Sequence, residues 1–384
     1  MPFSELQLQL DERAAEGLLR RRRIVAGAQD TCLTVDGKKY ISFCSNDYLG
    51  LANHPRIVDA LKSGAERHGA GAGAAHLVSG HSIAHETLEN ELAAFVGKPS
   101  ALLFSTGYMA NMGVVQALVG RDDTVFADRL NHASLNDAMQ LSRATIRRYR
   151  HNDIGQLETL LRKTQKGRKL IMTDAVFSMD GDRAPLPGLL ELCERHDAWL
   201  FLDDAHGFGV SGSKGQGTLA HFGLDSPRII YMATLGKAAG VFGAFVAAEK
   251  IVIDTLVNNA RSYIYTTATP PALSFALSES LALIGQGDEC RAHLQGLITR
   301  LRNGLDGLRW TLLESNTPIQ PLMIGVNRAA LDLSTALRER GIWVPAIRPP
   351  TVPEGTARLR ITLSAAHKES DLDALMGNLH ELAR

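Results

Sequence analysis

The chain has 384 residues, in which 41 Lys plus Arg balance 41 Asp plus Glu, with 13 His beside them. At about 100–200 residues per domain that length implies two to three domains, and zero net charge excludes a polyanion binder working by bulk electrostatics as well as a disordered or acidic scaffold. Apolar residues at 45% and charged residues at 21% are ordinary for a soluble globular protein, so the 35 glycines, above the ~7% average usage, mark places where backbone can approach a ligand.

Ser4 with Gln7 three residues on reads as a capping box, and Leu10, Ala14 and Leu18 recur at helical spacing, which predicts a helix running towards the arginines at 20–23. TCLTVDGKKYISF has strand composition around Asp36-Gly37, a hairpin signal. The small-residue stretch at 69–75 is too short for a linker and reads as a loop or helix start. Strand-like runs then alternate with helical ones: ALLFS, a helix from about Met109, TVFADR, ATIRRYR, a helix around IGQLETLLRKT, KLIMTDAVFS, a helix around LPGLLELCERH, AWLFLDDAHG and RIIYMATLGK. This alternation predicts an α/β fold with a mainly parallel sheet covered on both faces. From about Pro270 come two long amphipathic helices, short strands (IQPLMIGV, IWVPAI, ARLRITL) and two further helices, the pattern of a smaller α+β domain. The expected division is 1–44 as a helical arm and hairpin, 45–285 as the large domain and 286–384 as the small one.

Cys32, Cys44, Cys193 and Cys290 form no C-x-x-C pair, so neither a disulfide framework nor a zinc site is expected, and the cytosol is the default. The N-terminal arginines follow the apolar residues, unlike those of a secretory signal. The longest uncharged stretch, 99–120, is broken by Ser105, Thr106, Asn111 and Gln116 and makes a poor membrane span.

The polar residues of interest stand where strands should end: Ser105-Thr106-Gly107-Tyr108, Asp128 with His132, Ser178, Asp203-Asp204-Ala205-His206, and Thr234-Leu235-Gly236-Lys237. In parallel sheets, ligands bind outside the carboxyl ends of the strands. Asp203 and Asp204 follow a buried apolar strand, where an ionised carboxylate needs a cation or strong donors, or else caps a helix. No other His or carboxylate has spacing that would complete a metal site with them. Gly207-Phe208-Gly209-Val210-Ser211-Gly212 matches G-x-G-x-x-G, but SKGQGT after it does not open a helix and the next strand ends without an acid, so a dinucleotide site is not expected. Lys237 lies among Gly236, Ala238, Ala239 and Gly240, which leaves room for a bulky group to reach its amine. A covalent-anchor lysine, an upstream Asp for a pyridinium nitrogen, a Ser/Thr-Gly helix start for a phosphate and a histidine face for a ring are together the parts that pyridoxal phosphate requires.

SNDYLGL (45–51), LVSGHSIAHETLE (77–89), STGYMAN, DRLNHASL, VFSMDGDRAPL (176–186), LDDAHGFGVSG, TLGKAAG, YTTATPP (265–271) and AIRPPTVPEGTARLRITL (346–363) resemble the α-oxoamine synthases, a fold-type-I pyridoxal-phosphate family, over essentially the whole chain. AIRPPTVP with the arginine-rich arm is most similar to members that condense L-alanine with a pimeloyl thioester, carried by coenzyme A or acyl carrier protein, and release carbon dioxide. Other members use glycine with acetyl- or succinyl-coenzyme A. The resemblance implies that Lys237 forms the imine with the cofactor and later acts as general base, that Asp203 holds the pyridine nitrogen protonated, and that His132 stacks on the ring. It further implies that Ser178 and His206 reach the 3′-oxygen, that Gly107 and Tyr108 lie along the cofactor, and that Thr234 binds the phosphate. Thr266 or Thr267 of a neighbouring subunit is expected at the same phosphate, which makes the active unit a homodimer. Arg360 is expected to hold the amino-acid carboxylate, Arg20 and Thr351 the acyl substrate, with Asn46 on the same rim. Many members carry Arg where this chain has His76, and Phe where it has Tyr108.

Overall fold

The structure, a computed structural model, describes residues 2–384. Its contacts gather into two compact units: one of 49–178 with 183–291, the other of 2–48, 179–182 and 292–384.

The larger unit is built on a seven-stranded sheet in the order Ser100–Phe104, Ala244–Ala248, Ile229–Thr234, Trp199–Asp203, Lys169–Asp174, Thr124–Asp128, Thr145–Tyr149. Every pairing is parallel except those of Ala244–Ala248, which runs antiparallel to both neighbours. These strands read as unbroken apolar runs because both faces are covered. Side chains alternate between faces. On one face Leu102, Phe104, Val125, Ala127, Leu170, Met172, Phe201 and Ile230 form a buried core with Val114, Val115 and Leu118 of helix Gly107–Leu118, Leu135 and Met139 of Ala133–Ser142, and Leu256 of Lys250–Asn259. Two residues beyond Met172, Phe201 and Met232 of that core, Asp174, Asp203 and Thr234 continue the same face at the carboxyl edge. Register then sets the neighbours: Asp174 is the Cα partner of Asp203, and Asp203 of Met232. Apolar filling below and polar groups at the rim are therefore one pattern read along each strand.

In the smaller unit, strands Cys32–Val35 and Lys38–Ser42 form the hairpin, with Asp36 (φ 50°) and Gly37 (φ 81°) in the left-handed region that a two-residue turn needs. Lys38–Ser42 also pairs in parallel with Ile342–Trp343, and His367 stacks on Phe43 while bonding the Ser42 carbonyl at 3.0 Å. The N-terminal hairpin and the C-terminal strands thus share one unit, where the sequence suggests an arm apart from the C-terminal domain. Ile319–Gly325 and Ala357–Thr362 pair antiparallel and pack against helix Asn327–Glu339, which in turn meets helix Glu369–Leu382.

The first helix, Ser4–Ala15, differs from expectation. Phe3 is its N-cap, no side chain caps it, and it buries nothing. Gln7 donates to Asp11 at 2.8 Å instead of reaching back to Ser4. The helix stops before the arginines because its apolar positions have no surface to cover within the chain. The glycines at 69, 71 and 73 face open space, and the stretch is a loop.

Candidate active site

A cavity of about 200 Å³ opens at the carboxyl edge of the larger unit's sheet. Of the residues singled out from the sequence, Gly107, Tyr108, His132, Asp203, His206, Thr234 and Lys237 line it. Asn111, Ser134 and Asp174 line it as well and were not foreseen.

Alternation along the strand sends Asp203 and Asp204 to opposite sides. Asp203 faces the cavity, its Oδ1 accepting from Ala205 N at 3.0 Å and its Oδ2 from Asn111 Nδ2 at 2.8 Å. Asp204 turns away and accepts from Thr218 N and Oγ1 and from Tyr231 OH at 2.9 Å. Burial pushes the Asp204 carboxyl up to about 6 against the pull of those three bonds. Asn111 Nδ2 uses its second hydrogen on Ser134 Oγ at 2.8 Å, and Ser134 Oγ lies 2.7 Å from His132 Nδ1. His132 Nδ1 also accepts from Ser134 N at 3.3 Å as the cap of helix Ala133–Ser142, which leaves the ring proton on Nε2. A chain of hydrogen bonds from Asp203 through Asn111 and Ser134 therefore fixes the imidazole plane. Burial lowers the pKa of His132, and the charge of Lys237 adds to this while Asp203 opposes it. The ring is neutral at pH 7 and suited to lie on another ring.

Asp174 accepts from His132 N at 2.8 Å and stands beside Asp203. Burial, then the charge of Asp203, pushes its carboxyl well above the usual range. Two adjacent buried carboxyls carry one negative charge comfortably and two only with a cation between them. Lys237 Nζ lies 2.9 Å from His206 Nε2. Thr106 caps helix Gly107–Leu118 through Met109 N at 3.1 Å, and at Gly107 an added Cβ would find no atom nearer than 3.8 Å, so the helix N-terminus opens on the cavity as an anion cradle. Thr234 Oγ1 stands there and donates to the Gly243 carbonyl at 3.0 Å.

Pyridoxal phosphate fits this donor set. Its pyridinium is the cation the Asp174–Asp203 pair calls for, its phosphate suits the Gly107 helix start, and its aldehyde suits Lys237. The G-x-G-x-x-G run, by contrast, packs: a Cβ on Gly207 would lie 2.0 Å from Asp204 Oδ1, and one on Gly209 2.7 Å from the Ala238 side chain. These glycines let the backbone of 207–209 close on Asp204 and on the loop that carries Lys237.

Ser178, Thr266 and Thr267 do not line the cavity of their own chain. Thr267 is exposed in an antiparallel bridge with Ala75. Asp128, also at a strand end, accepts from Leu130 N and Asn152 N, both at 2.8 Å, and serves the turn. In the smaller unit, buried Arg360 donates from Nη1 and Nη2 to Asn46 Oδ1, both at 3.2 Å, and from Nη1 to Thr362 Oγ1 at 3.0 Å. There Arg20 Nη2 meets Thr351 Oγ1 at 3.4 Å, so two residues 331 positions apart come together.

No helix among the described residues is long and apolar enough to cross a membrane. The pattern of the aminotransferase class I and II family matches residues 38–379. The 8-amino-7-oxononanoate synthase of Nitrosomonas eutropha is 60% identical over 377 residues, covering 97% of each chain. A serine palmitoyltransferase solved with pyridoxal phosphate superposes with TM-score 0.93 at 28% identity, covering 99% of this chain and 96% of that one. The 8-amino-7-oxononanoate synthase of Francisella tularensis gives TM-score 0.78 at 31% identity, covering 89% and 98%. The chain belongs to the class I and II aminotransferase family and, within it, to the 8-amino-7-oxononanoate synthases.

Proposed function

We propose that the protein condenses L-alanine with a pimeloyl thioester to give 8-amino-7-oxononanoate, carbon dioxide and the free thiol carrier, a step of biotin synthesis. The observation that carries the chemistry is the pairing, in one cavity, of Lys237 with a buried Asp203 that Asn111 and Ala205 hold in place. We also assign it to the cytosol as a homodimer, in which Thr266 or Thr267 of one subunit reaches the phosphate held by the other.

Bound pyridoxal phosphate supplies an electron sink that accepts the pair left when a bond to the alanine α-carbon breaks. Asp203 keeps a proton on the ring nitrogen, because a buried carboxylate favours a cation beside it. His132 covers the ring face and, being neutral, does not compete for that proton. His206 orients the Lys237 amine and faces the place of the ring's 3′-oxygen. Lys237 would hold the cofactor through its amine and would serve as the base that removes the alanine α-proton at close range. Arg360, its fork already set by Asn46 and Thr362, binds the alanine carboxylate. Arg20 and Thr351 contact the acyl donor. The new bond joins the alanine α-carbon to the thioester carbonyl as the carbon–sulfur bond breaks; the bond to the carboxylate then breaks, carbon dioxide leaves, and a proton returns to the α-carbon.

The test offers alanine and glycine in competition, each with pimeloyl and acetyl thioesters, and identifies the ketone by mass. The 8-amino-7-oxononanoate product supports the assignment; a product from glycine and an acetyl thioester alone would replace it with a glycine C-acetyltransferase.

A further inference from the structure

Residues 76–89 gather three histidines for which the proposed reaction has no use. His76 begins a π-helical turn, His76–Gly80; His81 follows that turn; His85 stands in the first turn of helix Ile83–Phe95. One nitrogen from each ring lies within 4.8 Å of the others. His76 and His85 are buried, and His81 is half-buried.

The partners on the outer side of each ring decide where its lone pair points. His81 Nε2 lies 3.2 Å from Glu86 Oε2, and His85 Nε2 lies 2.8 Å from the Thr269 carbonyl. A carboxylate and a carbonyl only accept, so both rings carry their proton on Nε2 and their lone pair on Nδ1. His76 Nδ1 faces His81 Nδ1 at 3.1 Å, and its ring is pinned flat on Tyr263, with centroids 5.0 Å apart and planes 15° apart. With the His81 Nδ1 lone pair facing it, His76 carries its own proton on Nδ1, and an ion would take that place as the proton moves to Nε2.

We propose that His76, His81 and His85 bind one divalent transition-metal ion of the zinc type. Glu86 and the Thr269 carbonyl orient the rings from behind, as outer partners of metal-bound imidazoles commonly do. Tetrahedral coordination with bonds of about 2.0–2.1 Å sets ligand nitrogens roughly 3.3 Å apart, close to the 3.1 Å already found between His76 and His81. His85 closes the set by exchanging the Ser82 N–H that its Nδ1 accepts at 3.1 Å for the ion. Imidazole ligands suit zinc, copper and nickel, and three of them leave the remaining coordination to solvent. The ion would tie the π-turn His76–Gly80 to the first turn of helix Ile83–Phe95. A His-x4-His-x3-His spacing is the sequence trace of this site; only the π-turn brings its first two members face to face.

The test titrates chelator-treated holoenzyme with Co²⁺, then Zn²⁺. One ion per chain is expected, with long-wavelength ligand-field bands, displacement by Zn²⁺ and a raised Tm. His81→Gln, at a half-buried position where folding is not at stake, loses the bands and the Tm rise. Glu86→Gln keeps the bands but weakens affinity about 10–100-fold. Absence of binding to the unaltered holoenzyme overturns the proposal. So do bands that persist unchanged in His81→Gln, since those would belong to the cofactor, itself a chelator.

Discussion

Replacing Asp203 by Asn tests the electrostatic core of the site. The amide keeps the shape and can still accept from Ala205 N, which lies 3.0 Å from Oδ1, but it gives up the bond that Oδ2 accepts from Asn111 and removes the one charge that faces the ring nitrogen. Breaking a buried charge pair by neutralising one partner costs about 3–5 kcal/mol. At 1.36 kcal/mol per tenfold, cofactor affinity should fall roughly 150- to 5,000-fold. Without cofactor the sign reverses. Asp174 has its carboxyl pushed up by burial and by the Asp203 charge, so losing that charge relieves repulsion, and the Tm of the apoprotein should hold or rise. The assay titrates apoprotein with pyridoxal phosphate by absorbance and measures both Tm values by calorimetry. Cofactor affinity within about threefold of the unaltered protein, roughly 0.6 kcal/mol, would refute the reasoning.

Arg360→Lys keeps the charge but loses the fork on Asn46; kcat/KM for alanine should fall about 10–100-fold, with the thioester KM little changed. Gly207→Ala drives a methyl to within 2.1 Å of both Asp204 Oδ1 and Thr218 Oγ1, and urea unfolding should register a loss of about 1–3 kcal/mol. Burial raises the Glu89 carboxyl to about 8, against the Leu103 N–H that it accepts. The folded chain therefore holds this proton where the unfolded chain has lost it, and the stability the group contributes below the ordinary carboxylate range drains away as pH rises through 8. Glu89→Gln, whose amide oxygen still accepts from Leu103, should flatten the fall of the urea midpoint between about pH 5 and pH 9.

The sheet was legible because its strands are unbroken apolar runs that end in polar residues, and Asp203, Thr234 and Lys237 stood out at those ends. Ala244–Ala248 was not foreseen: three of its five residues are alanine, a weak strand former, and it depends on pairing with Ser100–Phe104 and Ile229–Thr234. Asp174 went unremarked because KLIMTDAVFS runs on in apolar residues past the point where the strand stops, and only register against Asp203 marks it. Asn111 and Ser134 sit on helices, where one polar residue on an apolar face looks like many others; the signal was Asn111 at helical spacing from Gly107 and Tyr108. The capping-box reading of Ser4 failed for a different reason: a local motif cannot say whether the helix it starts has anything to pack on.

The account turns on decarboxylative carbon–carbon bond formation, and carboxyl-labelled alanine measures it most directly. With pimeloyl thioester, the protein should release labelled carbon dioxide, free thiol and 8-amino-7-oxononanoate in equal amounts, and Lys237→Ala should release none of them. Labelled carbon dioxide without ketone, ketone that retains the label, or unchanged turnover in Lys237→Ala would contradict it.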